Sequence, residues 1–309
     1  MELLLFSDAH IKPVDESVDW AQLTVPSDVD LVLSLGDVIH DAREDALAYG
    51  HQFFEQLASH DVPIVAVPGN HDPVEYYPEL LDGISSAVNL HRSALSTDDF
   101  PQLRTSTEPL SFVGWGCEQF NQEPEIRPNE FPSLLPATGN GSSRYEADQL
   151  AQRLEDELYQ YLTTDMTERD LVSRLDIAES NQREFLQQVD QTATVYSQLS
   201  SLLEQSEYST IVLSHVPPYN TEADRHHSIG QREMELEGAH VGSIGLKLAL
   251  RNYRPLAAFH GHSHNPVYNP GFGDETTPHS LNPGFQGIVR VSINGGTGMF
   301  SYQRLTDGH

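Results

Sequence analysis

The chain has 309 residues, a single cysteine and a formal net charge of -29. That length buries a core without staples, Cys117 alone excludes a disulfide framework or a thiolate zinc site, and the charge opposes non-specific attachment to nucleic acid or to an anionic membrane. Lys12 and Lys247 are the only lysines. Carboxylates spread along the whole chain are the composition expected of a halophilic source, where salt screens self-repulsion. The opening apolar run Leu3–Phe6 is too short for a signal peptide or a membrane span, so a soluble, cytoplasmic protein is expected.

In chain order, Leu3–Phe6 reads as a strand, Asp30–Leu35 as a second, and Ala46–Leu57 as a helix with Phe53, Phe54 and Leu57 near one face. Pro63–Val67 is a third strand stopped by Pro68-Gly69, and Leu110–Trp115 a fourth. Residues 121 to 142 read as a loop rich in Pro, Gly, Asn and Ser. From Arg144 to Gln205 the pattern is helical, with Leu154, Leu158 and Tyr161 on one stripe and Leu171, Leu175 and Ala178 on another. Breaks are expected near Thr163-Thr164-Asp165, with a cap at Thr167 and Asp170. Strands resume at Thr210–Leu213 and Leu256–Phe259, and the segment from Ser280 to Leu305 reads as short antiparallel strands between Gly-rich turns. Strands separated by helices give an α/β class. The expected organisation is a single domain over 1–309, with residues 144–206 as a helical insertion.

Five polar motifs each follow an apolar run: Asp8-Ala9-His10, Gly36-Asp37, Gly69-Asn70-His71-Asp72, Ser214-His215 and Gly261-His262-Ser263-His264. In an extended segment Asp8 and His10 project to one side and can meet one ion. Asp37 can bridge two ions if its two oxygens face different metals. Asn70 offers an amide oxygen. His71, pointing elsewhere, suits a proton donor or charge stabiliser, with Asp72 fixing its tautomer and raising its pKa. His215 by itself stands where a structural histidine or a ligand would. His262 and His264, alternate after a strand, form a clamp. Ligands from several strand ends converging on one edge are how open α/β sheets place their sites. Nitrogen and oxygen donors suit manganese, iron or zinc better than calcium. Arg225, His226 and His227, in a polar loop between motifs, are candidates for contacting a substrate phosphate.

With these residues the chain resembles the calcineurin-like metallophosphoesterase superfamily over about Leu3 to His264. The stretch from Ser214-His215-Val216-Pro217-Pro218-Tyr219 to Gly242-Ser243 resembles its prokaryotic, especially archaeal, phosphodiesterase-like branch. The resemblance implies a four-layer αββα sandwich of two mixed sheets and a metal-dependent phosphodiesterase or phosphatase with a dinuclear centre and a bridging hydroxide. It implies Asp8, His10, Asp37 and His264 around one metal, and Asp37, Asn70, His215 and His262 around the other. His71 then stands near the leaving group, supported by Asp72. Two divalent transition metal ions are implied, manganese first, then iron or zinc. Gly36-Asp37 is not followed by the Asp-Arg-Gly of phosphoprotein phosphatases, so a small phosphoester is the expected substrate. The alternatives are a nuclease of the same superfamily, disfavoured by the acidic surface, and a non-catalytic metal-binding scaffold.

Overall fold

The computed structural model describes residues 1–12, 24–41, 43–100, 103, 109–118, 125–135, 144–225, 240–269, 279–294 and 299–305. The chain divides into two units. The first comprises Met1–Glu123, Leu202–Pro217 and Arg254–His309; the second comprises Pro124–Ser201 and Pro218–Tyr253.

The first unit contains two six-stranded sheets. One has the order β12-β11-β1-β2-β3-β4, built from β1 (Glu2–Ser7), β2 (Leu31–Ser34), β3 (Ile64–Ala66), β4 (Ala87–Asn89), β11 (Gly287–Asn294) and β12 (Met299–Arg304). The other has the order β5-β6-β7-β8-β10-β9, built from β5 (Ser93–Ser96), β6 (Leu110–Trp115), β7 (Ser209–Ser214), β8 (Ala257–Phe259), β9 (Val267–Asn269) and β10 (His279–Asn282). β1 to β4 run parallel, with β11 antiparallel to β1 and β12 antiparallel to β11. In the second sheet β6, β7, β8 and β10 run parallel between antiparallel edges. Both sheets are mixed, as the sandwich class expected from the sequence requires.

The central strands β1, β2, β3, β6, β7 and β8 are buried on both faces, which is why they read as continuous apolar runs rather than alternating ones. Leu3, Leu5, Leu31, Leu33 and Val65 of the first sheet pack with Phe112, Ile211, Leu213 and Phe259 of the second to form the core between them. The opposite face of the first sheet, through Leu4, Phe6, Val32 and Ile64, packs on α1 (Glu44–Ala58). The buried residues of that helix, Ala46, Leu47, Gly50, Phe53, Phe54 and Leu57, fall at helical spacing, and Glu44 and Asp45 sit favourably in its first turn. The short α2 (Tyr77–Leu80) adds Tyr77 and Leu80 to the same core.

The second unit is helical: α3 (Arg144–Thr163), α4 (Glu168–Arg174), most of α5 (Gln182–Glu204), and α6 (Ile244–Tyr253). Its core joins Leu154, Leu158, Leu171, Leu175, Phe185, Val189, Ile244 and Leu248. The expected cap forms, with the Asp170 amide donating to Thr167 Oγ1 at 3.2 Å and the Thr167 amide donating to Asp170 Oδ2 at 3.2 Å. Ala178, expected on the buried stripe, is exposed. The chain turns at Asp176 (φ 55°), so Ile177 points inward instead. The 121–142 loop is described only at 125–135, which holds two single 3-10 turns, Pro128–Glu130 and Pro132–Leu134. No helix among the described residues is long and apolar enough to cross a membrane.

Candidate metal centre

Parallel strands end on a common edge, and this brings the motifs together. Asp8 follows β1, Gly36-Asp37 follows β2, Gly69 to Asp72 follow β3, His215 follows β7, and His262 and His264 follow β8. Backbone bonds tie these ends to one another: the Asp8 amide donates to Gly36 O (3.2 Å), the His10 amide to Asp37 O (2.9 Å), and the Gly261 amide to His215 O (2.9 Å).

The local backbone is not the extended one expected. Asp8 (φ 52°), His10 (φ 45°), Asp37 (φ 53°), His262 (φ 68°) and His264 (φ 56°) all occupy the left-handed region. Convergence of Asp8 with His10, and of His262 with His264, therefore comes from tight left-handed turns and not from strand alternation. Asp is one of the side chains that tolerate that region best. Gly36 (φ +89°) makes the turn before Asp37, where a Cβ would lie 2.7 Å from Gly69 and from His215 Nδ1. Gly69 has no room for one either, since a Cβ there would meet Asp37 Oδ1 at 2.1 Å.

Two groups of donors drawn wholly from the expected ligands result, Asp8 with His10 and His264, and Asp37 with His215 and His262; a third joins His10 to His71 and His40, and within each the donor atoms lie within 4.8 Å of one another. In the first, His264 Nε2 is 3.5 Å from Asp8 Oδ1 and 3.2 Å from His10 Nε2. In the second, Asn70 Oδ1 is 2.9 Å from His215 Nε2 and 2.9 Å from His262 Nδ1. Asp37 Oδ2 joins the groups, 3.6 Å from His10 Nε2 and 3.3 Å from His215 Nε2. The other oxygen, Oδ1, accepts the His71 amide at 2.8 Å. A single oxygen of Asp37 thus faces both groups, whereas the sequence reading assigned one oxygen to each.

The donors fit divalent cations. Asp8, His10, Asp37 and His215 are all buried. His10 Nδ1 has no hydrogen-bond partner, and Nε2 nitrogens of two imidazoles face each other. Burial pushes His10 down to about 4 and His262 down to about 3, so both rings keep lone pairs at neutral pH. His215 is different: burial works against its charge, but the Asp37 carboxylate overrides this and raises it to about 9. Its Nδ1–H donates to Leu35 O at 2.8 Å, which aims Nε2 into the site. Burial disfavours the charge on Asp8 and Asp37, yet neighbouring histidines hold both carboxyls below the usual range, His264 for Asp8 and His215 for Asp37.

His71 donates Nδ1–H to the carbonyl of His40, and the two rings stack at 5.3 Å with 19° between planes. His71 also meets His10 edge-on at 4.8 Å. Asp72, expected to support this ring, does something else. Its Oδ1 accepts amides of Asp37 (3.0 Å) and Gly69 (2.7 Å), and its Oδ2 accepts that of Val38 (2.6 Å). Buried and spent on three backbone donors, the carboxylate pins the Asp37 turn to the Gly69 turn; the His71 tautomer is set by a main-chain oxygen. Burial, then the Asp37 charge, pushes Asp72 up to about 7 against the pull of those amides.

Arg225 lies in the second unit, buried, with its guanidinium 2.5 Å from Asp148. His226 and His227 lie outside the described residues. The sequence reading missed His40, which offers His71 a carbonyl and a stacked ring and places a ring nitrogen within 4.8 Å of donors of His10 and His71, none of which a motif encodes. It also missed Phe285, whose ring lies along His10 (5.7 Å, 28°) and beside His264 (5.0 Å).

A family model described as Calcineurin-like phosphoesterase matches residues 1–266. No curated protein matches the chain. Among solved structures, TT1561 of Thermus thermophilus is similar with a TM-score of 0.46 and 12% identity, covering 99% of this chain and 99% of that one. The phosphopantetheinyl hydrolase PptH from Mycobacterium tuberculosis is similar with a TM-score of 0.48 and 15% identity, covering 91% of this chain and 88% of that one.

Proposed function

Because the chain belongs to the calcineurin-like phosphoesterase family, a family of metal-dependent phosphoester hydrolases, we propose that it hydrolyses small phosphoesters at a dinuclear centre. The observation that carries this reading is Asp37 Oδ2, set between His10 of one donor group and His215 of the other. Asp8, His10, Asp37 and His264 would hold one ion; Asp37, Asn70, His215 and His262 would hold its neighbour. Manganese suits this nitrogen and oxygen set, with iron or zinc next. Bound cations supply Lewis acidity toward phosphoryl oxygens and lower the pKa of water.

The chain's own residues do the rest. Asp8 and Asp37 contribute the negative charge that balances the cations. Asn70 adds a neutral oxygen. His71 is turned by the His40 carbonyl so that a proton passed to a leaving oxygen travels on Nε2. Asp72 holds the turns that carry Asp37 and Asn70 in register. The net charge of -29 opposes a polyanionic substrate and favours a small one.

The test is hydrolysis of bis-p-nitrophenyl phosphate and p-nitrophenyl phosphate by chelator-stripped protein with and without manganese, at low and high salt. Turnover is expected to depend on added metal, and Asp37→Asn is expected to lose both turnover and at least one ion per chain by elemental analysis. An Asp37→Asn protein with undiminished metal content would remove the shared-ligand role. Metal-independent turnover, or none under any condition, would sink the hydrolase reading.

A further inference from the structure

Phe285 is an aromatic side chain in an unusual place. Among the described phenylalanines it alone belongs to none of the three apolar clusters; Phe6, Phe53, Phe54, Phe100, Phe112, Phe131, Phe185, Phe259 and Phe300 all do. Among the described residues its ring neighbours are imidazoles, His10 along its face and His264 at its side, and it remains half-buried. Apolar surface left at a polar site without a core to join has a use there, or it would be replaced by something hydrated.

The backbone holds this ring in place. Asn282 Oδ1 accepts the Gly284 amide at 2.8 Å, and Asn282 Nδ2 donates to Gly261 O at 2.8 Å. The Phe285 amide donates to His264 O (3.4 Å) and the Gln286 amide to Asp8 O (3.0 Å). Gly284 (φ 84°) and Gln286 (φ 49°) both take left-handed conformations on either side of it. Phe285 is therefore fastened between the loop that carries Asp8 and the loop that carries His264, so its position relative to the donors is as fixed as theirs.

Taking the site as a phosphoester hydrolase centre, we propose that Phe285 is a specificity-determining residue, a shelf on which a planar aromatic group of the substrate stacks while its phosphoryl group meets the donor cluster. The substrate class is then a phosphoester whose organic part carries an aromatic ring close to phosphorus. An aromatic face is indifferent to which ring it receives and selects only against aliphatic groups.

The test compares phenylphosphonate with methylphosphonate, two non-hydrolysable anions with the same head group, by calorimetry on the manganese-loaded protein. The wild type is expected to bind the phenyl ligand about tenfold tighter, and Phe285→Leu, which keeps apolar bulk but has no aromatic face, to bring that ratio below about threefold. Phe285→Tyr is expected to keep it. In parallel, phenyl phosphate and methyl phosphate are offered as substrates, and the aryl-to-alkyl KM advantage is expected to shrink in the Leu variant in step with the binding ratio. A wild type without phenyl preference overturns the proposal, as does a Leu variant that keeps the preference. A Leu variant that fails to load metal also overturns it, because Phe285 then seals His10 and does not select substrate. If neither ester nor bis-p-nitrophenyl phosphate is turned over while the binding preference holds and responds to Phe285, the hydrolase reading fails and the aryl shelf stands.

Discussion

Replacing Asp72 by Asn is a sensitive probe of how the site is held. In the native protein three buried amides, those of Asp37, Val38 and Gly69, converge on its two oxygens. Asn fills the same volume. Its best orientation places the amide oxygen at Oδ1, where it still serves Asp37 and Gly69. The NH2 group then faces the Val38 N–H, donor against donor. One unmade bond with a buried donor costs about 1–3 kcal/mol, and the two surviving bonds lose their charge assistance. Relief of the repulsion between two buried carboxylates offsets part of that, so a net loss of about 2 kcal/mol is expected. At roughly 2.1 cal/mol/K per residue, 309 residues give an unfolding entropy of ~0.65 kcal/mol/K, so Tm falls by about 3 °C. The Asp37 turn loosens in the same step, so metal affinity falls too. The assays are thermal melting with metal and with chelator, elemental analysis, and a pH–rate profile. If Asp72→Asn melts like the wild type, keeps its metal and shifts only the acid limb of the profile, then Asp72 acts on the His71 ring and the role assigned to it from these bonds is wrong.

Three further outcomes follow from the same geometry. Gly69→Ala would drive a Cβ to 2.1 Å from Asp37 Oδ1, so it is expected to destabilise by ~3 kcal/mol and to strip metal; normal loading in this variant would contradict the close approach. His71→Ala is expected to lose roughly 10²–10⁴ in kcat while retaining both ions, and equal loss of metal and rate would make His71 a ligand. His215 is raised to about 9 without metal, so at pH 7 it carries a proton that a cation at Nε2 must expel. Calorimetry in buffers of different ionisation heat is expected to show, on top of any proton lost by metal-bound water, a proton release on loading at pH 7 that fades as the pH rises through 9; release without that fading component would assign the proton to another group.

The strands that carry the site were legible because buried parallel strands are continuous apolar runs of Val, Leu and Ile bounded by Gly and polar residues. The donors were legible because each stands within a few residues of such a run. What the sequence hid is instructive. α6 gave no helical period, since Ile244, Gly245, Leu246, Leu248, Ala249 and Leu250 are all buried and a helix buried nearly all round has no polar face to reveal it. β4 and β5 are three and four residues long and half-exposed, too short to show a pattern. Asp72 stands next to His71 in the chain, which invites a pairing, but its oxygens accept the amides of Asp37, Val38 and Gly69. The carbonyl of His40 holds the His71 ring instead, and main-chain oxygens leave no mark in a motif. Phe285 was hidden for a related reason, because a phenylalanine after Pro283-Gly284 looks like any other core residue until its neighbours turn out to be imidazoles.

The left-handed backbone at five donor positions connects fold to chemistry. Glycine would enter that region without strain but has nothing with which to hold an ion. Asp8, His10, Asp37, His262 and His264 are there for their side chains, and each left-handed residue costs on the order of 1 kcal/mol or more. Hydrogen bonds between strand ends, and a core that runs between two sheets, keep the turns in place. The same enclosure gathers Asp8 and Asp37 where their charges repel, and His215, protonated, is their internal countercharge. A cation held at Nε2 would replace that proton and neutralise the carboxylates more completely. The strained backbone and the crowded charge therefore act together: the scaffold holds donors closer than they would choose alone, and the energy stored in that crowding would be released as affinity for a bound cation.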